Sequence, residues 1–270
     1  EFYKEAQRRV GISGTAYRGF PDWTPAQSIA LMDIQKIKTS ILSFTSPGIY
    51  FGDIAKTRDL ACQCNDYLAR LTIDHPNRFG GFALLPLPDI DASLRELERA
   101  LDELKLDGLT LLTSVDEKYI GHPDFEPIYE EINRRKAVTF IHPCYPPGSE
   151  AKGWDIPRMI IDYPFETTRV ATNLIFNGVI ERMPEIPFIL SHSGGTLPFL
   201  AHRIAIFDKK TKFQDMYPKG ALAYMKLFYF DTALSGEGAV LNGLSSIVDE
   251  TRILFGSDYP YVSEDVVDKE

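Results

Sequence analysis

Two short apolar runs end in histidine or just beyond it: AVTFIHP at residues 137–143 and PFILSHSG at residues 187–194. Five more apolar runs share their length and their content of β-branched and aromatic residues: TSILSF at 39–44, GGFALLP at 80–86, LDGLTLLTS at 106–114, LFYFDTA at 227–233 and RILFGSDYP at 252–260. Stretches with helical periodicity, such as 91–104 and 164–183, lie between them. The alternation predicts parallel β/α units.

Two folds show this alternation, the doubly wound open sheet and the (β/α)8 barrel. No glycine-rich dinucleotide motif follows any of the runs, and this favours the barrel. A chain of 270 residues suits one barrel domain spanning residues 1–270. The segment 143–165 is rich in proline and glycine, and it is predicted to be a long loop of the kind that often serves function.

Composition limits the classes of partner. The net charge of -9 gives no basic surface for nucleic acid or an anionic membrane, so a small molecule is the expected partner. Three cysteines, Cys62, Cys64 and Cys144, have neither zinc-ribbon nor redox spacing, and they are interpreted as reduced thiols of a cytoplasmic protein. No apolar run approaches the ~20 residues of a membrane span.

Polar residues at the ends of strands are the informative ones, because a (β/α)8 barrel builds its site at the carboxyl ends of its strands. His142, His192 and Asp258 hold such positions on three separate runs. Imidazole and carboxylate are ligands that catalytic zinc takes. Either histidine alone could instead be a structural residue, and Asp258 could cap a turn. Three together favour a metal-dependent active site.

Other polar residues have plainer interpretations. His75 and His122 precede a strand and open a helix, so both are predicted to be structural or to lie on the surface, and His202 is predicted to lie on a helix surface or at an interface. Asp231 ends a strand, and it either caps the next turn or supports the site. The amides that follow Gly194 and Gly195 are possible receptors for an anionic group.

Longer motifs make the chain resemble the amidohydrolase-2 group of metal-dependent decarboxylases, which includes aminocarboxymuconate semialdehyde, γ-resorcylate, carboxyvanillate and 6-methylsalicylate decarboxylases. The resemblance covers nearly the whole chain. Among these branches, the chain is most similar to the 6-methylsalicylate type. Its motifs are HPNRFGGFALLPLPD at 75–89, FIHP at 140–143, DYPFETTRVATNLIFNGVIERMP at 162–184, ILSHSGGTLPFLAHRI at 189–204 and ILFGSDYP at 253–260.

The resemblance implies one divalent metal ion, zinc or manganese, and no organic cofactor. His142 and Asp258 would be metal ligands, and His192 would be the active-site acid or base, with Asp258 as a second catalytic candidate. It further implies a homodimer in which Arg203 reaches the partner's substrate. Trp154 and Phe44 are expected to flank an aromatic substrate, as Tyr50 and Tyr259 could, although aromatic residues are as often core anchors.

One departure concerns the metal-binding pair that these families carry on the first strand, H-x-H or E-x-H. Neither pair occurs in the 270 residues. The expectation is therefore a barrel that lacks most or all of its first strand, and also its last helix, within this sequence. Such a site leaves two protein ligands where catalytic zinc usually has three.

Three functions fit these residues. The leading hypothesis is a carboxy-lyase that removes carbon dioxide from a small hydroxylated aromatic acid such as 6-methylsalicylate after protonation of the ring. The second is a metal-dependent hydrolase of a lactone or amide, since the fold serves both reactions. The third is a catalytically inactive barrel kept for binding.

Overall fold

The centre of the molecule is a parallel sheet of seven strands that lie side by side in chain order. The computed structural model describes residues 2–9, 11, 14–15, 18–148 and 157–268. The strands are β1 (Ser40–Leu42), β2 (Phe79–Leu84), β3 (Gly108–Leu112), β4 (Val138–His142), β5 (Phe188–Leu190), β6 (Tyr229–Asp231) and β7 (Ile253–Leu254). Each overlaps one of the seven predicted runs, so the strand prediction is confirmed.

The order of the strands distinguishes the two candidate folds. A doubly wound sheet reverses its strand order at a switch point, whereas this sheet runs from β1 to β7 without a reversal and every neighbouring pair is parallel. That arrangement is the one a (β/α) barrel requires. Two short antiparallel ribbons stand apart from it, Gly14–Thr15 with Arg18–Gly19 and Ser114–Val115 with Lys118–Tyr119.

Helices connect the strands. They are α1 (Phe2–Arg9), α2 (Pro25–Ile34), α3 (Ile54–Asp74), α4 (Ile90–Glu98), α5 (Glu126–Arg135), α6 (Met159–Phe176), α7 (Val179–Arg182), α8 (Leu197–Ala205), α9 (Thr211–Gln214), α10 (Ala221–Met225), α11 (Gly238–Ser245) and α12 (Glu264–Val267). A wider π-helical turn, Arg99–Glu103, continues α4. Short 3-10 turns lie at Pro123–Phe125, His192–Gly194, Ile206–Lys209 and Glu250–Arg252. Within the described residues, no helix is long and apolar enough to cross a membrane.

Local sequence signals explain several of these boundaries. Thr24 and Gln27 form a reciprocal capping box at the start of α2, with Pro25 in the first turn. Asp53 and Asp89 cap α3 and α4 by accepting hydrogen bonds from backbone N–H groups. The main hydrophobic core lies between the sheet and the helices outside it, as the apolar strands predict.

One boundary differs from the sequence-based expectation. The loop predicted over 143–165 is shorter, because α6 begins at Met159 and carries Pro164 inside it. Arg158 holds this first turn: its backbone oxygen accepts from the Asp162 amide at 2.7 Å, and its side chain pairs with the Asp162 carboxylate. These contacts offset the hydrogen bond that a proline lacks.

Candidate metal-binding active site

Three side chains meet at the carboxyl edge of the sheet. His142 is the last residue of β4, His192 follows β5 by two residues, and Asp258 follows β7 by four. Their ligand atoms all lie within 4.8 Å of one another. Residues remote in the sequence therefore converge as the strand-end positions predict.

His142 is buried and its ring orientation is fixed. Nδ1 lies 2.8 Å from the carbonyl oxygen of Pro143, which can only accept, so Nδ1 carries the proton and Nε2 keeps a lone pair. The hydroxyl of Thr45 lies 3.3 Å from Nε2. Burial, and then the repulsion that a protonated His192 would exert, lower the pKa of His142 to about 3 and keep its imidazole neutral.

His192 stands beside it, with ring centroids 5.7 Å apart and planes at 74°. Although its side chain keeps some accessible surface, burial lowers the pKa of His192 to about 4. Its Nδ1 is buried and has no hydrogen-bond partner within the described part of the chain. A neutral imidazole with an unused nitrogen can bind a cation or exchange a proton.

The backbone under His192 is unusual. His192 and Ser193 have φ values of 54° and 53°, in the left-handed region that side chains disfavour. The carboxylate of Asp231 accepts the His192 backbone N–H at 2.8 Å and that of Ala233 at 3.1 Å. Asp231 thus both caps the turn after β6 and supports the site, which are the two roles that the sequence left open.

Asp258 also has a left-handed backbone, with φ 49°. Its carbonyl accepts the backbone N–H of Tyr261 at 2.9 Å. Burial, followed by the negative charge of Asp258, raises the pKa of the Tyr261 hydroxyl to about 12. A carboxylate beside two neutral imidazoles completes a cluster of three.

Aromatic rings form one wall of the site. Tyr163, near the start of α6, lies edge-on to His142 with centroids 6.2 Å apart, and it shares a hydrogen bond with Ser46. Its ring also lies 5.3 Å from that of Tyr145, and the Arg158 guanidinium covers Tyr145 at 4.8 Å. The wall therefore depends on where α6 begins.

The turn after His192 packs closely against α6. A Cβ atom on Gly195 would lie 1.9 Å from the carbonyl oxygen of Pro164, so only glycine fits there. The amides of Gly194, Gly195 and Thr196 donate to Ser191, His192 and the Thr168 hydroxyl respectively. These three amides are therefore already engaged, and the expectation that an amide after the glycines receives an anionic group stays a prediction for the positions beyond Thr196.

The remaining predicted residues have different outcomes. Trp154 lies outside the described residues. Phe44 packs between two core clusters with its ring 5.9 Å from that of Tyr3, and its role toward a substrate stays a prediction. Arg203 is exposed on α8, and its reach into a partner's site is likewise untested.

The other three histidines have no part in the cluster. His75 ends α3, and His122 begins a 3-10 turn by accepting the backbone N–H of Asp124. His202 is exposed on α8.

Thr45 and Tyr163 both contact His142, and neither was predicted from the sequence. Thr45 directly follows the first apolar run, so the rule that site residues lie at strand ends could have found it.

The donor set suits a divalent metal ion. Two imidazoles held neutral by burial, one with a fixed tautomer and one with an unpartnered Nδ1, converge with a carboxylate. Zinc and manganese both accept nitrogen and carboxylate oxygen ligands. Neutral imidazoles bind metal without first losing a proton.

Comparisons with known proteins agree with this geometry. The family model described as amidohydrolase matches residues 18–269. The decarboxylase yanB of Aspergillus niger is 40% identical over 99% of this chain and 76% of its own length. The 6-methylsalicylic acid decarboxylase of Penicillium expansum is 36% identical over 98% of this chain and 85% of its own.

Two solved structures extend the comparison. An amidohydrolase II crystal structure superimposes with a TM-score of 0.92 and 30% identity, covering 99% of this chain and 86% of that one. A dihydroxybenzoic acid decarboxylase from Polaromonas sp. JS666, solved with bound manganese and the inhibitor 2-nitroresorcinol, has a TM-score of 0.82 and 27% identity, covering 92% and 79%. The parallel sheet described above is thus that of barrel enzymes.

Proposed function

Since this chain belongs to the amidohydrolase family, we propose that it is a decarboxylase that removes carbon dioxide, without an oxidant or an organic cofactor, from a small hydroxylated aromatic acid. The observation that carries the proposal is the convergence of His142, His192 and Asp258 at the carboxyl edge of the sheet. Relatives named for decarboxylation give the reaction class, and the relative named for 6-methylsalicylic acid gives the model substrate.

We assign His142 Nε2 and the Asp258 carboxylate to one divalent metal ion, zinc or manganese. Manganese in the related decarboxylase supports this choice. When bound, such an ion supplies Lewis-acid chemistry that orients a carboxylate and a neighbouring hydroxyl. The Thr45 hydroxyl, 3.3 Å from His142 Nε2, can donate to the same lone pair that the ion would use, so metal binding would replace this contact.

The proton that the reaction needs is assigned to His192. Loss of carbon dioxide from an aromatic ring requires a proton on the carbon that carries the carboxylate. Burial keeps His192 neutral in the free protein, and an anionic substrate bound beside it favours the protonated imidazole. Asp258 is the second candidate for this proton transfer.

We also propose that the protein forms a homodimer. The exposed side chains of Phe199, Arg203 and Ile206 follow one another at helical spacing along α8 and the turn after it, and Phe199 and Ile206 are 90% and 68% exposed. We propose that this face, called the α8 face below, packs against a second copy. Arg203 would then reach the partner's substrate, while Phe44 and Trp154 would flank the ring within one subunit.

Two alternatives remain weaker. A lactone or amide hydrolase would use the same cluster, and an inactive barrel would need no cluster at all. The described residues hold no contact that specifically favours either alternative, whereas the named relatives favour decarboxylation.

The decisive experiment incubates the purified protein with manganese and 6-methylsalicylate. We expect carbon dioxide and 3-methylphenol in equal amounts, and we expect dialysis against a chelator to abolish both until manganese is restored. His142→Ala should lose the metal by elemental analysis, whereas His122→Ala, at a helix start, should retain it. Absence of both products with 6-methylsalicylate and with dihydroxybenzoates would refute the proposal.

A further inference from the structure

A cavity of about 270 Å³ opens at the carboxyl edge of the sheet, and none of the three clustered residues lines it. Its walls come from the last residues of β2 and β3 and from the segments that follow β1, β2, β3 and β4, so it lies at the same edge of the sheet as His142. A dry apolar cavity of about 150 Å³ already holds benzene. This space is therefore large enough for a ring edge and its substituent.

Short connections join this cavity to the candidate site. Ser46, on the cavity wall, follows Thr45, whose hydroxyl lies 3.3 Å from His142. Cys144, also on the wall, follows His142 by two residues. Tyr145 lines the cavity and packs against Tyr163, which faces His142. A small molecule held at His142 therefore has the cavity within reach.

The lining has an apolar floor and an acidic rim. Five leucines form the floor: Leu84, Leu85, Leu87, Leu111 and Leu112. Asp116 and Glu117, both exposed, form the turn of the ribbon Ser114–Tyr119 at its rim. Among the described lining residues there is no lysine, arginine or histidine. This lining disfavours an anionic group and accepts an apolar one.

Thr110 is a buried residue in the wall of the cavity. Thr110, in β3, is 1% exposed and lines the cavity, and its hydroxyl has no hydrogen-bond partner within the described residues. An unsatisfied buried hydroxyl costs about 1–3 kcal/mol. Since the hydroxyl has almost no accessible surface, the cavity meets the other atoms of Thr110, and a larger side chain there would narrow the space.

We propose that the cavity is the pocket for the ring substituent of the substrate, and that it selects neutral, mainly apolar groups over anionic ones. The inference rests on the decarboxylase function proposed above and adds a rule for specificity. The acid group is processed at His142 and His192, while the substituent at position 6, next to the carbon that carries the carboxylate, enters the leucine-lined space past Ser46 and Tyr145.

The test compares substrates that differ only at position 6 of salicylate: methyl, propyl and carboxymethyl. We expect kcat/KM for propyl to stay within about 10-fold of methyl, and that for carboxymethyl to fall at least about 10-fold below methyl. Thr110→Ile adds a carbon to the cavity and should lower kcat/KM for propyl by about 10-fold relative to methyl. Thr110→Val keeps the shape and should retain the wild-type ratio of propyl to methyl.

The acidic rim has a separate test. Asp116→Asn combined with Glu117→Gln should raise kcat/KM for the carboxymethyl substrate about 3-fold at low salt, since exposed charges interact weakly. Glu130→Gln, an equally exposed position on α5, is the matched control and should change nothing. Both rim positions are exposed, so these variants should fold.

Calorimetry with 3-propylphenol, which carries no carboxylate, separates this inference from the proposed function. Wild-type protein should bind it and Thr110→Ile should bind it about 10-fold more weakly, whether or not any substrate is decarboxylated. Equal binding by both proteins, or an unchanged ratio of propyl to methyl in Thr110→Ile, would overturn the pocket. Failure of all decarboxylation with intact phenol binding would overturn only the function.

Discussion

Asp231 acts on the backbone of His192. Two successive left-handed residues, His192 and Ser193, store strain of about 1–3 kcal/mol each, and the Asp231 carboxylate stabilises them through the His192 amide. The Ser193 hydroxyl adds a hydrogen bond to Ser235 at 2.9 Å. The position of the His192 ring therefore depends on a residue in the neighbouring strand.

Asp231→Ala should lower kcat about 10- to 100-fold with little change in KM, because a hydrogen bond to a charged group contributes about 1.5–3 kcal/mol. Asp231→Asn should recover most of the activity, since an amide oxygen accepts the same backbone N–H. Asp249→Ala, which removes a similar cap at Thr251 on the surface, is the control. A wild-type kcat in Asp231→Ala would show that this contact does not position His192.

At the residue scale, the sequence located His142, His192 and Asp258 because each ends an apolar run. It did not locate Tyr163, because the contact between Tyr163 and His142 depends on α6 beginning one turn before a proline. Nor could a pattern of residue types show that Asp231 would support a strained turn rather than only cap one.

At the level of elements, strands were easier to predict than helix ends. Buried parallel strands need uninterrupted apolar residues, and that demand is visible in the seven runs. The start of α6 depends instead on an ion pair between Arg158 and Asp162 and on packing against Gly195, which are tertiary contacts.

A buried polar contact ties α3 and α4 to β2. Asn65 pairs with both backbone groups of Leu84 and donates to the buried Glu96 carboxylate at 2.6 Å. Asn65→Ala should reduce the free energy of unfolding by about 3 kcal/mol, because these groups would be left unpaired. Asn133→Ala, which removes an exposed contact to the Glu185 amide, should cost less than about 1 kcal/mol. Urea titration measures both, and equal losses would contradict the role of Asn65.

Helix α5 provides a prediction about pH. Arg134 and Arg135 hydrogen-bond to Glu131 and lower its pKa from 4.5 to about 2. A lowered pKa in the folded state adds stability above pH 4.5 that is lost as the pH falls toward about 2. Glu131→Gln should therefore destabilise the protein at neutral pH, and the difference from wild type should shrink between these values. Denaturation at several pH values tests this, and a constant difference would contradict it.

For the whole molecule, the unreversed order of the sheet brings His142 and Asp258 together although 116 positions separate them in the sequence. The predicted strands anticipated this, because the carboxyl ends of all strands of a barrel lie at one edge. The cavity beside the site was not predicted, because its shape depends on four connecting segments whose conformation no local pattern specifies.

Association of two copies is a prediction at this same scale. Phe199→Glu places a charge at the most exposed apolar residue of the α8 face, so it should convert a dimer into monomers in analytical ultracentrifugation and reduce activity if Arg203 serves the partner's site. Ile73→Glu alters another exposed apolar residue, at the end of α3, and should leave the mass unchanged. A wild type that sediments as a monomer at micromolar concentration would refute the dimer.

The close packing of Gly195 against α6 limits which residues can change during evolution. Any larger residue at this position would collide with the Pro164 carbonyl and push the start of α6, with Tyr163, away from His142. Gly238 and Gly243 have open space around them and can accept replacement more readily. Neutral substitutions can therefore accumulate in α11 during evolution, whereas residue 195 must remain glycine for as long as the active site is kept.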